Sequence, residues 1–156
     1  MIDLSDLESG ERPLFTPKFC YDPRLEGREV RILRLEEGQG DEPLRYTLIT
    51  ECLEDARYHA LSHVWGGQSL TRIILCNGQK ITVTINLFEA LWQLRESKNL
   101  TPLWVDAICT NQEDELEKTQ QARMMGDIYH FAHQTIILLG PASRDDNLTI
   151  SMRALI

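Results

Sequence analysis

The chain has 156 residues, of which 42% are hydrophobic and 26% are charged, and this length and composition predict one globular domain with a sizeable core. Its 24 acidic and 16 basic residues give a net charge of -8, with the basic residues scattered, so nucleic acid is not expected as a partner. No apolar run approaches the roughly 20 residues of a membrane span, and no signal pattern opens the chain, so a soluble, cytoplasmic protein with no membrane span is expected.

The predicted elements begin with an irregular arm and continue as strands. Residues 1–28 are rich in Pro, Gly and charge, and no helical or strand period persists there. Asn77-Gly78 stands between two β-prone runs and predicts a tight hairpin, because both residues tolerate a positive φ. The predicted strands are 30–35, 46–53, 58–65, 72–76, 79–83, 103–109 and 135–139.

Two helices are predicted from cap motifs that precede apolar residues at helical spacing. Asn86 with Glu89 matches the reciprocal N-terminal cap, and this helix is expected to run to about Lys98. Asp114 with Glu117 repeats the motif before a second apolar stripe. The stripe consists of Met124, Met125, Ile128, Tyr129 and Ala132. The alternation of strands and helices predicts an α/β fold with a mostly parallel central sheet flanked by helices, to which the hairpin is an antiparallel addition.

Polar segments follow three of the predicted strands. Ligands bind beyond the carboxyl ends of the strands in parallel sheets, and the segments 62–67, 106–112 and 140–143 fall there. Asp106 lies within an apolar run, where a buried carboxylate costs several kcal/mol unless it is paired or hydrogen-bonded. This edge of the sheet is therefore the predicted functional site.

The polar residues at this edge have a structural interpretation as well as a functional one. Glu117 either completes the cap of its helix or turns to the core side, since its spacing puts it on the face of Gln121. Asp106 is expected to hold the loop by accepting backbone N–H bonds, with catalysis as the second interpretation. Asn111 and Gln112 are either turn formers or a pair of amides that bind a base or a ribose.

The residues at the end of the third predicted strand also have more than one interpretation. Trp65 beside Gly66 is either a core or lid aromatic or a stacking platform with room for a planar ligand. Ser62 and His63 are strand neighbours that point to opposite faces, so a nucleophile and base pair is not expected. His59 and His63 are separated by roughly 13 Å along a strand, too far to share an ion, and no metal site is predicted.

Three motifs, in this order, resemble the heterokaryon incompatibility (HET) domain of filamentous fungi. They are the segment 58–66, the segment 103–112, and a helix with Glu117, Gln120, Gln121, Met125, Ile128 and Tyr129 before a closing Leu139-Gly140. The chain departs from the family pattern at His63, where Tyr is common, at Thr110, where Ile is common, and at Gly126, which replaces a larger residue. The resemblance predicts an arm at 1–28, a HET domain at 29–141, and the start of a C-terminal segment of a longer protein at 142–156.

The resemblance implies a role in non-self recognition and programmed cell death, with regulatory domains or partner proteins and a homo-oligomer as the active state. The family is also similar to TIR domains, which implies a TIR-like or flavodoxin-like variant of the fold. Some TIR domains cleave NAD with a Glu, so the resemblance implies an NAD(P) glycohydrolase with Glu117 as the catalytic group. NAD or NADP would be the nucleotide substrate, and no cofactor is expected. The ligand site would then comprise Ser62, Trp65, Gly66, Asp106, Asn111, Gln112 and Gln121. The alternative is a non-enzymatic death-signalling module that acts by self-association or partner binding.

Overall fold

The computed structural model describes residues 18–21, 23–63, 71–138 and 150–153. Trp65, Gly66, most of the predicted arm and the segment 140–143 lie outside the described residues. No helix in the described ranges is long and apolar enough to cross a membrane. The elements, in chain order, are β1 (Glu29–Leu35), β2 (Arg45–Cys52), β3 (His59–His63), β4 (Thr71–Cys76), β5 (Gln79–Thr84), α1 (Ile85–Glu96), β6 (Leu103–Trp104), α2 (Asp106–Cys109), α3 (Glu115–Phe131), β7 (Gln134–Leu138) and β8 (Ile150–Arg153).

Within these residues the strands form one eight-stranded sheet in the order β5-β4-β2-β1-β6-β3-β7-β8. The β4–β2, β6–β3 and β3–β7 pairs are parallel, and the other four pairs are antiparallel. The predicted mixed α/β class is confirmed, but the prediction of a mostly parallel, flavodoxin-like sheet is wrong. The reason is that β1 and β2 are joined by the short segment 36–44, whereas a parallel pair needs a crossover of about a dozen residues or more.

Strand β1 lies in the interior of the sheet and is covered on both faces. Val30 and Ile32, on one face, are 0% and 1% exposed, and Arg31 and Leu33, on the other, are 4% and 0% exposed. A strand buried on both sides would normally carry only apolar residues. Arg31 is therefore a charged group inside the core, and it must have partners there.

The predicted hairpin is confirmed. Cys76 pairs with Gln79 across the two-residue turn. Asn77 and Gly78 have φ values of 50° and 78°, the left-handed conformation that this tight turn requires. Strand β5 is the outermost strand on this side of the sheet.

Helix α1 begins two residues earlier than the cap motif predicts. The hydroxyl of Thr84 accepts a hydrogen bond from the backbone N–H of Leu87 at 3.3 Å, so Thr84 is the N-cap and the prediction of Asn86 is wrong. Thr84 ends β5 with an extended backbone, which is the conformation that an N-cap needs. The helix ends at Glu96, and its predicted apolar face is buried.

The predicted strand 103–109 ends after Trp104. The N–H groups of Ile108 and Cys109 donate to the carbonyl of Val105 at 3.1 and 2.8 Å, which makes the single helical turn α2. A short apolar run cannot by itself distinguish a buried strand from a buried helical turn. As a consequence Asp106 opens α2 and is only half-buried, so the prediction of a buried carboxylate in a strand is wrong.

Candidate functional site around Glu117

Helix α3 places Glu117 in the core. The carboxylate of Asp114 accepts hydrogen bonds from the N–H groups of Leu116 and Glu117 at 3.2 and 3.3 Å, which confirms Asp114 as the N-cap. Glu117 and Gln121 are each 1% exposed and share the buried face of α3 with Met124. The prediction that Glu117 faces the core is therefore confirmed.

Each of the two carboxylate oxygens of Glu117 accepts two hydrogen bonds. Arg31 donates from Nη2 to Oε1 at 2.8 Å and from Nη1 to Oε2 at 2.9 Å, a bidentate ion pair. The N–H of Leu25 donates to Oε1 at 3.1 Å, and the N–H of Asn111 donates to Oε2 at 2.5 Å. The carboxylate does not return to the N–H of Asp114, which donates to the carbonyl of Asn111 instead, so Glu117 does not complete the predicted reciprocal cap.

The Arg31 guanidinium is equally well enclosed. Its side chain is 5% exposed, and it also donates to the carbonyls of Cys109 and Pro23 at 3.1 and 3.2 Å. Its central carbon lies 4.8 Å from the ring centroid of Tyr21, a cation–π contact. A buried ion pair is tolerated only when further hydrogen bonds satisfy both ions, and that condition is met here for Arg31 and Glu117.

The electrostatics of the pair keep Glu117 ionised. Burial alone would raise the pKa of the Glu117 carboxyl, because it penalises the charged form. The hydrogen bonds from Arg31, Asn111 and Leu25 outweigh burial and hold this pKa below its usual range. Glu117 is therefore a carboxylate at neutral pH, which does not suit a general acid of glycosidic cleavage but does suit a group that stabilises an oxocarbenium-like transition state.

The end of the predicted arm crosses this site. We call residues 18–21 and 23–25 the strap. The Tyr21 hydroxyl donates to the carbonyl of Ile108 at 2.6 Å, and Arg24 forms an ion pair with Asp114 at 2.5 Å. The strap is thus attached to α2 and to the start of α3, in addition to its contacts with the buried pair.

Asn111 and Gln112 brace the loop between α2 and α3. The side-chain oxygen of Asn111 accepts from the N–H of Glu113 at 3.1 Å, and Nε2 of Gln112 donates to the carbonyl of Asp106 at 2.9 Å. Both also line a groove of about 590 Å³ between the strap, the β4–β5 hairpin and this loop. Glu117 is not among the described residues that line the groove.

The carboxyl ends of the predicted parallel strands meet at one edge of the sheet, as predicted. Strands β6, β3 and β7 are adjacent and parallel, so their carboxyl ends share one edge of the sheet. Ser62 lies there half-buried. Burial raises the pKa of the Tyr129 phenol, and the nearby Ser62 side chain offsets this only in part. Trp65 and Gly66 follow β3 outside the described residues.

Gln121 and Glu117 contact the start of β1, which lies beside the carboxyl end of β6 because the two strands are antiparallel. Nε2 of Gln121 donates to the carbonyl of Glu29 at 3.0 Å, which ties α3 to the start of β1. Sequence analysis missed Arg31, although a signal was present. Arg31 alternates with Leu33 and Leu35, both buried, so strand periodicity alone puts its side chain on a core face.

Comparisons with known proteins define the family. The family model described as Heterokaryon incompatibility protein (HET) matches residues 58–155, so the chain belongs to the HET family. The chain is 40% identical over 103 residues to Heterokaryon incompatibility protein 6, OR allele, of Neurospora crassa. That alignment covers 58% of this chain and 15% of the relative, so the chain spans only a small part of the relative's length. No solved structure matches the chain.

Three of the four hydrogen bonds of Glu117 cross the boundary of the family match. Glu117 and Asn111 lie within residues 58–155, whereas Leu25 and Arg31 precede that range. The matched region therefore supplies the carboxylate, β1 supplies the positive charge of Arg31 that pairs with it, and the strap supplies the N–H of Leu25.

Proposed function

We propose that this chain is the HET module of a protein that acts in fungal non-self recognition, and that the module works by binding proteins, with Glu117 as a structural group. Membership of the HET family and the name of the Neurospora crassa relative support the first part. The four hydrogen bonds of the Glu117 carboxylate support its structural role.

The energetic argument rests on what a catalytic Glu117 would have to give up. To contact a ribose or a glycosidic bond, its carboxylate must exchange at least one oxygen from the Arg31 pair. Breaking a buried pair by losing one partner costs about 3–5 kcal/mol. At about 1.4 kcal/mol per tenfold, the freed state would be populated about 150- to 4,000-fold less than the paired state, which reduces any activity in proportion.

The NAD(P) glycohydrolase is the second candidate, and one observation favours it. The carboxyl ends of the parallel strands β6, β3 and β7 share an edge, which is where such sheets bind ligands. Asp106 is half-buried near that edge, and its carboxylate has no hydrogen bond to the described residues. In this hypothesis the reacting carboxylate is either that of Asp106, which is accessible, or that of Glu117, which is more enclosed.

The test is nicotinamide release from NAD and from NADP by the purified protein. We expect no release, and we expect self-association in size-exclusion chromatography with light scattering. Glu117→Gln and Asp106→Asn are compared with Glu115→Gln, which removes an exposed carboxylate from the same helix turn.

Turnover by the wild-type protein would contradict the proposal. If turnover is lost in Glu117→Gln with an unchanged circular dichroism spectrum, Glu117 is the catalytic group. If it is lost in Asp106→Asn and kept in both other variants, the reacting carboxylate is Asp106.

A further inference from the structure

We propose that the outer edge of β5, with the groove beside it, binds an extended acidic peptide from a partner protein by adding it to the sheet as a further strand. This inference rests on the proposed protein-binding function and names the surface and the chemistry of the partner. Three features carry it: the direction of the β5 backbone groups, a strand contact already present, and the side chains of the groove.

The register of the hairpin fixes which backbone groups of β5 point outward. Cys76 and Gln79 flank a two-residue turn and therefore exchange hydrogen bonds, and alternate residues along β5 then face away from β4. Lys80 and Thr82 are the outward residues. The carbonyl of Lys80 accepts a hydrogen bond from the N–H of Phe19 in the strap at 2.7 Å, which agrees with this assignment.

The strap shows that this edge accepts an extended segment. Lys18 pairs with Lys80 as a parallel bridge, and the strap then leaves the edge, because Tyr21 bonds to the carbonyl of Ile108. Further along β5, Thr82 is exposed, and its N–H and carbonyl have no hydrogen-bond partner in the described part of the chain. An edge with outward donors and acceptors is the template that peptides use in strand addition.

The groove offers side-chain sites of two kinds next to this edge. Ile73, which is 56% exposed, lies in the groove lining together with the half-buried Phe19. The lining also carries Lys18 and Lys80, and only Lys18 has an ion-pair partner there, Glu113, with both side chains about 80% exposed (79% and 81%). Exposed pairs of that kind exchange readily.

These sites favour an acidic peptide with apolar residues at alternate positions. Side chains of an added strand alternate between two faces, so one set can cover the apolar lining while acidic residues reach the lysines. In a chain of net charge -8, a groove lined by two lysines and one carboxylate, that of Glu113, is a local exception to the charge of the molecule. Electrostatic complementarity therefore selects acidic over basic peptides.

The experiment uses fluorescein-labelled peptides of about ten residues in which Val alternates with Glu, or with Lys as the charge control, and follows binding to the full chain by fluorescence anisotropy. Thr82→Pro removes the outward N–H, and edge strands accept Pro where the N–H faces away from the sheet. Thr82→Ala removes only the side chain and is the matched control. We expect the Glu peptide to bind the wild type and Thr82→Ala alike, and Thr82→Pro about tenfold more weakly or not at all.

Three results would overturn the inference. They are no binding of the Glu peptide up to about millimolar protein, equal binding of the Lys peptide, or unchanged binding to a Thr82→Pro variant with a native circular dichroism spectrum. None of them bears on nicotinamide release, so the edge proposal can fail while the proposed function stands. Nicotinamide release by the wild type would refute the proposed function without changing the peptide result.

Discussion

Replacing Glu117 by Gln tests whether the buried pair holds the fold together. The change keeps the shape of the side chain but removes its charge, so Arg31 remains 5% exposed in the core without a counter-ion. Arg31 keeps the carbonyls of Cys109 and Pro23, which are neutral acceptors and answer its charge only in part.

The expected loss is about 3–5 kcal/mol in the free energy of unfolding, the usual cost of removing one partner of a buried ion pair. The structure points to the upper part of this range for two reasons. Glu117 is 1% exposed, so water cannot replace the lost interactions. The amide of Gln also offers one acceptor oxygen where the carboxylate has two, so one of the N–H groups of Leu25 and Asn111 is left facing an amide N–H.

The assay is urea unfolding followed by circular dichroism and tryptophan fluorescence at neutral pH. Arg28→Gln is the control, because it removes ion pairs with Glu54 and Asp127 that are about half exposed, and its unfolding midpoint should stay close to that of the wild type. A loss below about 1 kcal/mol for Glu117→Gln would refute the claim that the pair is the structural centre of the site.

The remaining predictions concern pH, caps and glycines, and each is read from urea midpoints. Because folding lowers the pKa of Glu117, the stabilisation that its carboxylate contributes is fully present above the pKa of the unfolded chain, about 4.3, and is lost as the pH falls through the folded pKa. The difference in unfolding free energy between the wild type and Glu117→Gln should therefore shrink only below about pH 4. Thr84→Ala should cost about 1 kcal/mol through loss of the cap, whereas Asn86→Ala should cost less, and the reverse order would contradict the cap assignment. Gly126→Ala should stabilise α3 by up to about 1 kcal/mol, because open space surrounds the added Cβ; Gly78→Ala should destabilise by about 1 kcal/mol, because its φ is 78°.

Local signals in the sequence predicted what local interactions determine. The hairpin at Asn77-Gly78, the Asp114 cap and the buried face of α3 depend on residues within a few positions of one another, and all three are confirmed. The cap of α1 is the exception, because Thr84, which ends the preceding strand, takes the role predicted for Asn86.

Predictions that needed long-range pairing fared worse. The sheet order and the antiparallel β1–β6 contact depend on which strands meet, and β1 and β6 are separated in the chain by β2, β3, the whole β4–β5 hairpin and α1. The extent of the strand at 103–109 was also wrong: the chain turns into α2 at Asp106, whose carbonyl accepts a hydrogen bond from Gln112, a residue outside the apolar run. None of these partners is visible in the run of apolar residues itself.

The buried pair is the clearest case of a site that sequence could indicate but not interpret. Arg31 and Glu117 are 86 positions apart, and Leu25 and Glu117 are 92 apart, so the interpretation of Glu117 from its own helix left out both partners. The Glu117 carboxylate on α3 therefore connects this helix to β1, to the strap and to the loop of Asn111. That loop lines the groove beside β5, so Glu117 can be required for partner binding without touching a partner. Loss of function in a Glu117 variant is therefore evidence for catalysis only if the loop and the fold are shown to survive the change, and the stability measured for Glu117→Gln decides how that loss is to be interpreted.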